Sequence, residues 1–219
     1  MRRSLSLLVL AGLLAVLGAG CGGGDEPDAS TAEGAECADV AAPAPREDGG
    51  AQEPEERLDP EATFTLLFET SCGAFTVTLD QAAAPATAAS LVRLAQDGFY
   101  DDTVFHRVVP GFVVQGGDPT QTGTGGPGYQ TVDPPPVGAH YTRGDMAMAK
   151  AATEPAGTAG SQFFIVTGDD IGLPAEYAIV GEVTDGLDVV MAIDALGDAG
   201  TELPTRPVVI ESVKVGESG

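Results

Sequence analysis

Between positions 62 and 70 apolar side chains fall at every second residue, Phe64, Leu66 and Phe68, and after Ser71-Cys72-Gly73 the alternation resumes at Phe75, Val77 and Leu79. A period of two places each set on one face of a strand, so the pattern predicts a hairpin. After Pro85 the spacing changes: Ala88, Leu91, Val92 and Ala95 follow the i, i+3, i+4, i+7 stripe of a helix closed by Asp97-Gly98. Strand-like runs follow at 103–108, 112–116, 146–149, 163–166, 178–183 and 208–215. Leu187, Val190, Met191 and Ile193 predict a second helix over 187–196, ended at Gly197. Eight strands and two helices argue for a mainly β fold, a closed eight-stranded antiparallel barrel capped by two α-helices, spanning 61–219.

The first sixty residues follow neither period. Arg2 and Arg3 precede an uncharged run, 5–20, rich in leucine and alanine and ending in small residues before Cys21. That run is short of the roughly 20 residues of a membrane span and matches a secretory signal peptide over 1–20. Leu17-Gly18-Ala19-Gly20-Cys21 resembles a bacterial lipobox, with the leucine one place further out than usual, which implies lipidation of Cys21. From 22 to 60 the chain is Gly, Pro, Ala and acid, twelve acidic side chains against two arginines. So little apolar surface predicts a flexible acidic tether.

Composition narrows the partners. The formal net charge of -23 repels phosphate backbones, which excludes nucleic acid as an expected partner. Three cysteines and two histidines do not supply an ordinary structural zinc site, so no metal is expected. With Cys21 assigned to lipid, Cys37 and Cys72 remain as an even pair in a chain headed for an oxidising compartment, and a disulfide between them is expected.

Several motifs carry less chemistry than their form suggests. Gly123-Thr124-Gly125-Gly126-Pro127-Gly128 has the glycine spacing of a dinucleotide site, but Pro127 interrupts it and Asp133-Pro134-Pro135-Pro136 stands where the phosphate-binding helix should begin. It reads as a flexible loop. Ser161 lacks the second glycine of a nucleophile elbow, and Asp169-Asp170 has no third acid close by to hold a cation.

The run Val104-Phe105-His106-Arg107-Val108-Val109-Pro110-Gly111-Phe112-Val113-Val114-Gln115-Gly116-Gly117-Asp118 sets a cation and a histidine among alternating apolar residues. By composition alone Arg107 is a surface arginine and His106 a structural histidine. The run resembles the signature of cyclophilin-type peptidyl-prolyl cis-trans isomerases. Met146-Ala147-Met148-Ala149 with Gly160-Ser161-Gln162-Phe163-Phe164-Ile165 resembles the second signature block of that family, and Pro85-Ala86-Thr87 through Phe99-Tyr100-Asp101 its first helix. The similarity spans 62–215, and its barrel with two helices agrees with the strand count. Residue by residue, the resemblance implies Arg107 as the catalytic cation, with Phe112, Val113, Phe164 and Leu173 around a proline pocket and Tyr177 at its mouth. Gln115 and Gln162 would bind substrate backbone and orient Arg107, and Gly123, Thr124, Ala149, Lys150 and Ala151 would line the groove for residues preceding the proline. Lys150 stands where asparagine is usual, Val113 where methionine is common, and Gly172 or a neighbour replaces a tryptophan.

The resemblance implies an enzyme without cofactor. Rotation about X-Pro is slow because amide resonance must be broken, a barrier of about 18–20 kcal/mol. In the twisted transition state the proline nitrogen regains a lone pair, and a guanidinium can donate to it. The expected function is isomerisation of X-Pro bonds in exported proteins, assisting their folding, by a monomer held by lipid on the outer face of the bacterial cytoplasmic membrane. Its partners would be proline-containing unfolded or folding proteins. The alternative is a non-catalytic proline-peptide binding or chaperone module of the cell envelope.

Overall fold

The computed structural model describes residues 35–219; the expected signal peptide and Cys21 lie outside the described residues. In chain order the elements are β1 (Thr63–Thr70), β2 (Gly73–Leu79), α1 (Pro85–Gln96), β3 (Thr103–Val104), β4 (Arg107–Val109), β5 (Val113–Gly116), β6 (Thr131–Val132), β7 (Asp145–Met148), β8 (Thr158–Ala159), β9 (Phe163–Val166), β10 (Ile179–Asp185), α2 (Leu187–Asp194) and β11 (Val209–Ser218). The main sheet has nine strands in the order β3-β11-β1-β2-β10-β7-β9-β5-β4, antiparallel throughout, and β6 pairs with β8 separately.

The expected closed barrel is corrected to an open half-barrel, and the reason is local. The run 103–108 does not form one strand: its first half, β3, pairs with β11 and its second half, β4, pairs with β5. These halves are the two edges of the ladder, separated only by Phe105 and His106. Phe105 turns into the core, fully buried, and its N–H bonds to the Val208 carbonyl, while the Val108 N–H bonds to the Glu202 carbonyl. Neither half therefore continues the ladder of the other.

The alternation legible in β1 and β2 delivers the core. Phe68 stacks on Phe75 with ring centroids 4.7 Å apart and lies 5.2 Å from Phe163, which meets Phe105 edge-on. Helix α1 starts on Pro85 and buries Ala88, Leu91, Val92 and Ala95, the predicted stripe. Helix α2 contributes Val190 and Ile193 to the same core.

Residues 35–60, expected as part of a flexible tether, lie against the domain and belong to its compact unit. Cys37 and Cys72 form a disulfide, and the Ala38 N–H bonds to the Ser71 carbonyl. Further along, Arg46, Gly49 and Ala51 donate main-chain N–H bonds to Pro119, Gly126 and Pro127, and Leu58 packs on the core. A count of apolar side chains misses such a strap because backbone bonds and a covalent link hold it.

Candidate active site

Two neighbouring features use the residues singled out in the sequence. The first is an apolar cluster separate from the main core: buried Val113, Tyr141, Ala147, Phe164 and Val166, with half-exposed Phe112, Leu173 and Tyr177 against them. Strands β5 and β9 bring Val113 opposite Val166 and Gln115 opposite Phe164. The second is a groove of about 670 Å³ whose lining includes Gln115, Gly123, Thr124, Ala149, Lys150, Ala151 and Gln162. Ala149 belongs to both, and β4 sets Arg107 directly across from Gln115 of the groove.

Arg107 is 31% exposed and carries its guanidinium 5.9 Å from the centre of the Phe112 ring. Its Nε donates to Glu202 Oε2 at 2.7 Å, and its terminal amino groups make no side-chain hydrogen bond among the described residues. Glu202 was not legible as a partner. It sits 95 residues away with φ of 60°, a left-handed conformation that costs a non-glycine residue about 1–2 kcal/mol. The loop compensates: the Glu202 N–H bonds to the Asp198 carbonyl and its own carbonyl accepts from Val108.

The glutamines are ordered by each other. Gln115 Nε2 donates to Gln162 Oε1 at 3.0 Å, and Gln162 Nε2 donates to the Gly125 carbonyl at 2.9 Å. The expected flexible loop at 123–128 is corrected, because Asp118 organises it. This buried carboxylate accepts from the amides of Thr120, Thr122, Gly123 and Gly125 and from the Thr120 hydroxyl. Burial alone would raise its pKa, but the Thr120 hydroxyl and the surrounding amides outweigh that and hold it below the ordinary aspartate value. A Cβ on Gly125 would lie 2.3 Å from Asp118 Oδ1, so only glycine allows the carboxylate this close. His106 stands beside Gly123, and burial lowers its pKa despite the nearby Asp118 charge.

Lys150 lines the groove without offering its charge to it. Its side chain is 1% exposed, and Nζ lies 3.1 Å from Glu176 Oε2, bonds to the Glu154 and Ala151 carbonyls, and sits 5.5 Å from the Tyr177 ring centre. Tyr177 is held in turn by Tyr141, whose buried hydroxyl donates to the Tyr177 carbonyl and accepts from the Tyr177 N–H. Nothing periodic around position 141 marks that role. Gly172 has φ of 64°, so a tryptophan at that position would be strained. Ser161 is structural: it is fully buried and its hydroxyl donates to the Gly117 carbonyl.

A model of the cyclophilin type peptidyl-prolyl cis-trans isomerase/CLD family matches residues 65–215. The chain belongs to that family. Peptidyl-prolyl cis-trans isomerase A of Mycobacterium tuberculosis is 41% identical over 174 residues, covering 71% of this chain and 94% of its own. Peptidyl-prolyl cis-trans isomerase B of Bacillus subtilis is 48% identical over 108 residues, 48% of this chain and 73% of its own. Among solved structures, a cyclophilin type peptidyl-prolyl cis-trans isomerase of Cryptosporidium parvum superposes with a TM-score of 0.65 at 29% identity, over 72% of this chain and 99% of its own. A structure of that isomerase in the presence of the dipeptide Ala-Pro gives 0.64 at 30% identity, covering 71% of this chain and 99% of its own. The cyclophilin match begins at 65, so the strap at 35–60 lies ahead of it.

Proposed function

We propose that this isomerase turns X-Pro bonds of exported proteins, with Arg107 as the catalytic cation, from a lipid anchor at Cys21. The observation that carries the chemistry is the arginine itself: clamped at Nε by Glu202, over Phe112 at the edge of the apolar cluster that holds Val113 and Phe164, with its terminal amino groups uncommitted among the described residues. The planar X-Pro amide offers no lone pair on nitrogen, and the twisted one does. A donor whose bond forms mainly on twisting lowers the barrier instead of only tightening binding. The apolar pocket grips the ring, Gln115 and Gln162 offer polar groups to the preceding backbone, and the reaction needs no covalent intermediate. The Cryptosporidium relative studied with Ala-Pro supports a proline peptide as substrate.

Arg107→Ala in the chain from residue 22 onward is expected to lose about 10- to 100-fold in kcat/KM, since a charge-assisted hydrogen bond contributes roughly 1.5–3 kcal/mol. Exchange spectroscopy on a short X-Pro peptide measures it, and unaltered turnover sinks the mechanism. The export reading rests on Arg2, Arg3, the apolar run and the small residues before Cys21. Cys21→Ser is expected to move the protein from the membrane fraction to the medium or soluble fraction; retention at the membrane counts against the lipid anchor.

A further inference from the structure

The strap touches the groove. Asp48 is one of the residues that line it, together with Gln115, Gly125, Gly126 and Gln162. Its Oδ1 accepts from the Gly126 N–H at 2.6 Å, and just after it the Gly49 N–H bonds to the Gly126 carbonyl and the Ala51 N–H to the Pro127 carbonyl. Three hydrogen bonds from four consecutive strap residues thus hold two consecutive loop residues. Gly125, one peptide away, presents the carbonyl that orients Gln162, which in turn orients Gln115 opposite Arg107.

We propose that residues 46–51 are part of the substrate site: a groove wall, with Asp48 a positioning residue that fixes the Gly125-Gly126 peptide for the chain upstream of the proline. The proposal rests on the isomerase reading of the neighbouring pocket and extends it to a segment ahead of the cyclophilin match. Because the strap meets the groove and not the apolar cluster, it acts on upstream residues and not on the proline ring. The wall also sets the charge. The cation lining the groove, Lys150, is tied to Glu176, so Asp48 and Glu154 leave the lining anionic, and peptides with lysine upstream are favoured over those with glutamate.

The test compares two peptides, one with a single blocked residue before the proline and one with three, on the mature chain and its Asp48→Ala and Asp48→Asn variants. Asp48→Ala is expected to raise KM for the long peptide about three- to tenfold, with kcat within about twofold and the short peptide weakened clearly less. Asp48→Asn keeps an oxygen for the Gly126 N–H, so it is expected to recover most of that loss with an uncharged peptide while weakening the preference for lysine over glutamate, with Glu154 retaining the rest. Hydrogen exchange at Gly126 reads the bond itself and is expected to accelerate in Asp48→Ala alone. An active wild type whose long-peptide KM ignores Asp48→Ala, or whose two peptides weaken equally, overturns the inference. Wild-type protein inactive on both peptides overturns the isomerase reading instead.

Discussion

Glu202 fixes one nitrogen of Arg107 and, among the described residues, the rest of the guanidinium is free, a division of labour that a neutral partner would weaken without abolishing. Glu202→Gln is expected to lower kcat about three- to tenfold while KM stays within about twofold, because the proline pocket is untouched and only the donor's aim is lost. A KM effect as large as the kcat effect would contradict a purely positioning role. His106 is testable by pH. Its folded pKa lies below the ordinary 6.5, so the unfolded chain takes up the proton first. Stability is therefore complete above about pH 6.5 and falls as pH drops from there through the lowered value. Urea unfolding at pH 7.5 and 5 measures the slope, and His106→Gln should flatten it. At this scale, residues within the two signature runs were legible, since their types and spacing are contiguous. Glu202 and Tyr141 were not, because loops bring them in from far along the chain and no periodicity points to them.

Among the elements, β1, β2 and α1 bury the faces that spacing assigned to them, while α2 buries Val190 and Ile193 but leaves Leu187 and Met191 only partly covered and buries Val189 instead. The split of 103–108 into β3 and β4 was illegible because each half is extended, and only its choice of partner differs. Loops held by one carboxylate were equally hidden. Asp194, on α2, accepts from the Gly111 N–H and the Thr167 hydroxyl and so pins the turn that carries Phe112. Asp118 does the same for 120–125 with five hydrogen bonds. Asp118→Ala is expected to destabilise the fold by about 2–4 kcal/mol, more than a typical surface change, because four loop amides and the Thr120 hydroxyl lose one buried acceptor together. With its pKa depressed, the Asp118 contribution is present above the ordinary aspartate range and is lost only as pH falls through the folded value. The difference between wild type and Asp118→Ala in urea unfolding should therefore shrink on acidification below about pH 3.8, and a difference that persists there counts against the carboxylate as its source.

For the whole molecule, the strap is what the composition concealed. Its acids and prolines look like a solvated tether, yet its middle is bonded to the loop at 119–127 and its start is joined to the β1–β2 turn through Cys37–Cys72. The bridge closes a loop of 35 residues in sequence separation. In the chain-entropy account such a closure stabilises by about 3–4 kcal/mol, mainly by restricting the unfolded chain. For a domain of this size each kcal/mol moves Tm by about 2–4 °C, so reduction is expected to lower Tm by roughly 6–16 °C. Cys37→Ser is the cleaner variant, since Cys72 is buried and a serine there would add a hydroxyl to the core. The two perturbations should agree, and adding reductant to Cys37→Ser should change nothing further. The hydrogen bonds around Gly126 lie away from the bridge, so long-peptide KM should respond to Asp48→Ala more than to Cys37→Ser. Equal Tm values with and without reductant, with both thiols confirmed free in the reduced sample, would show that the bridge contributes nothing to the fold.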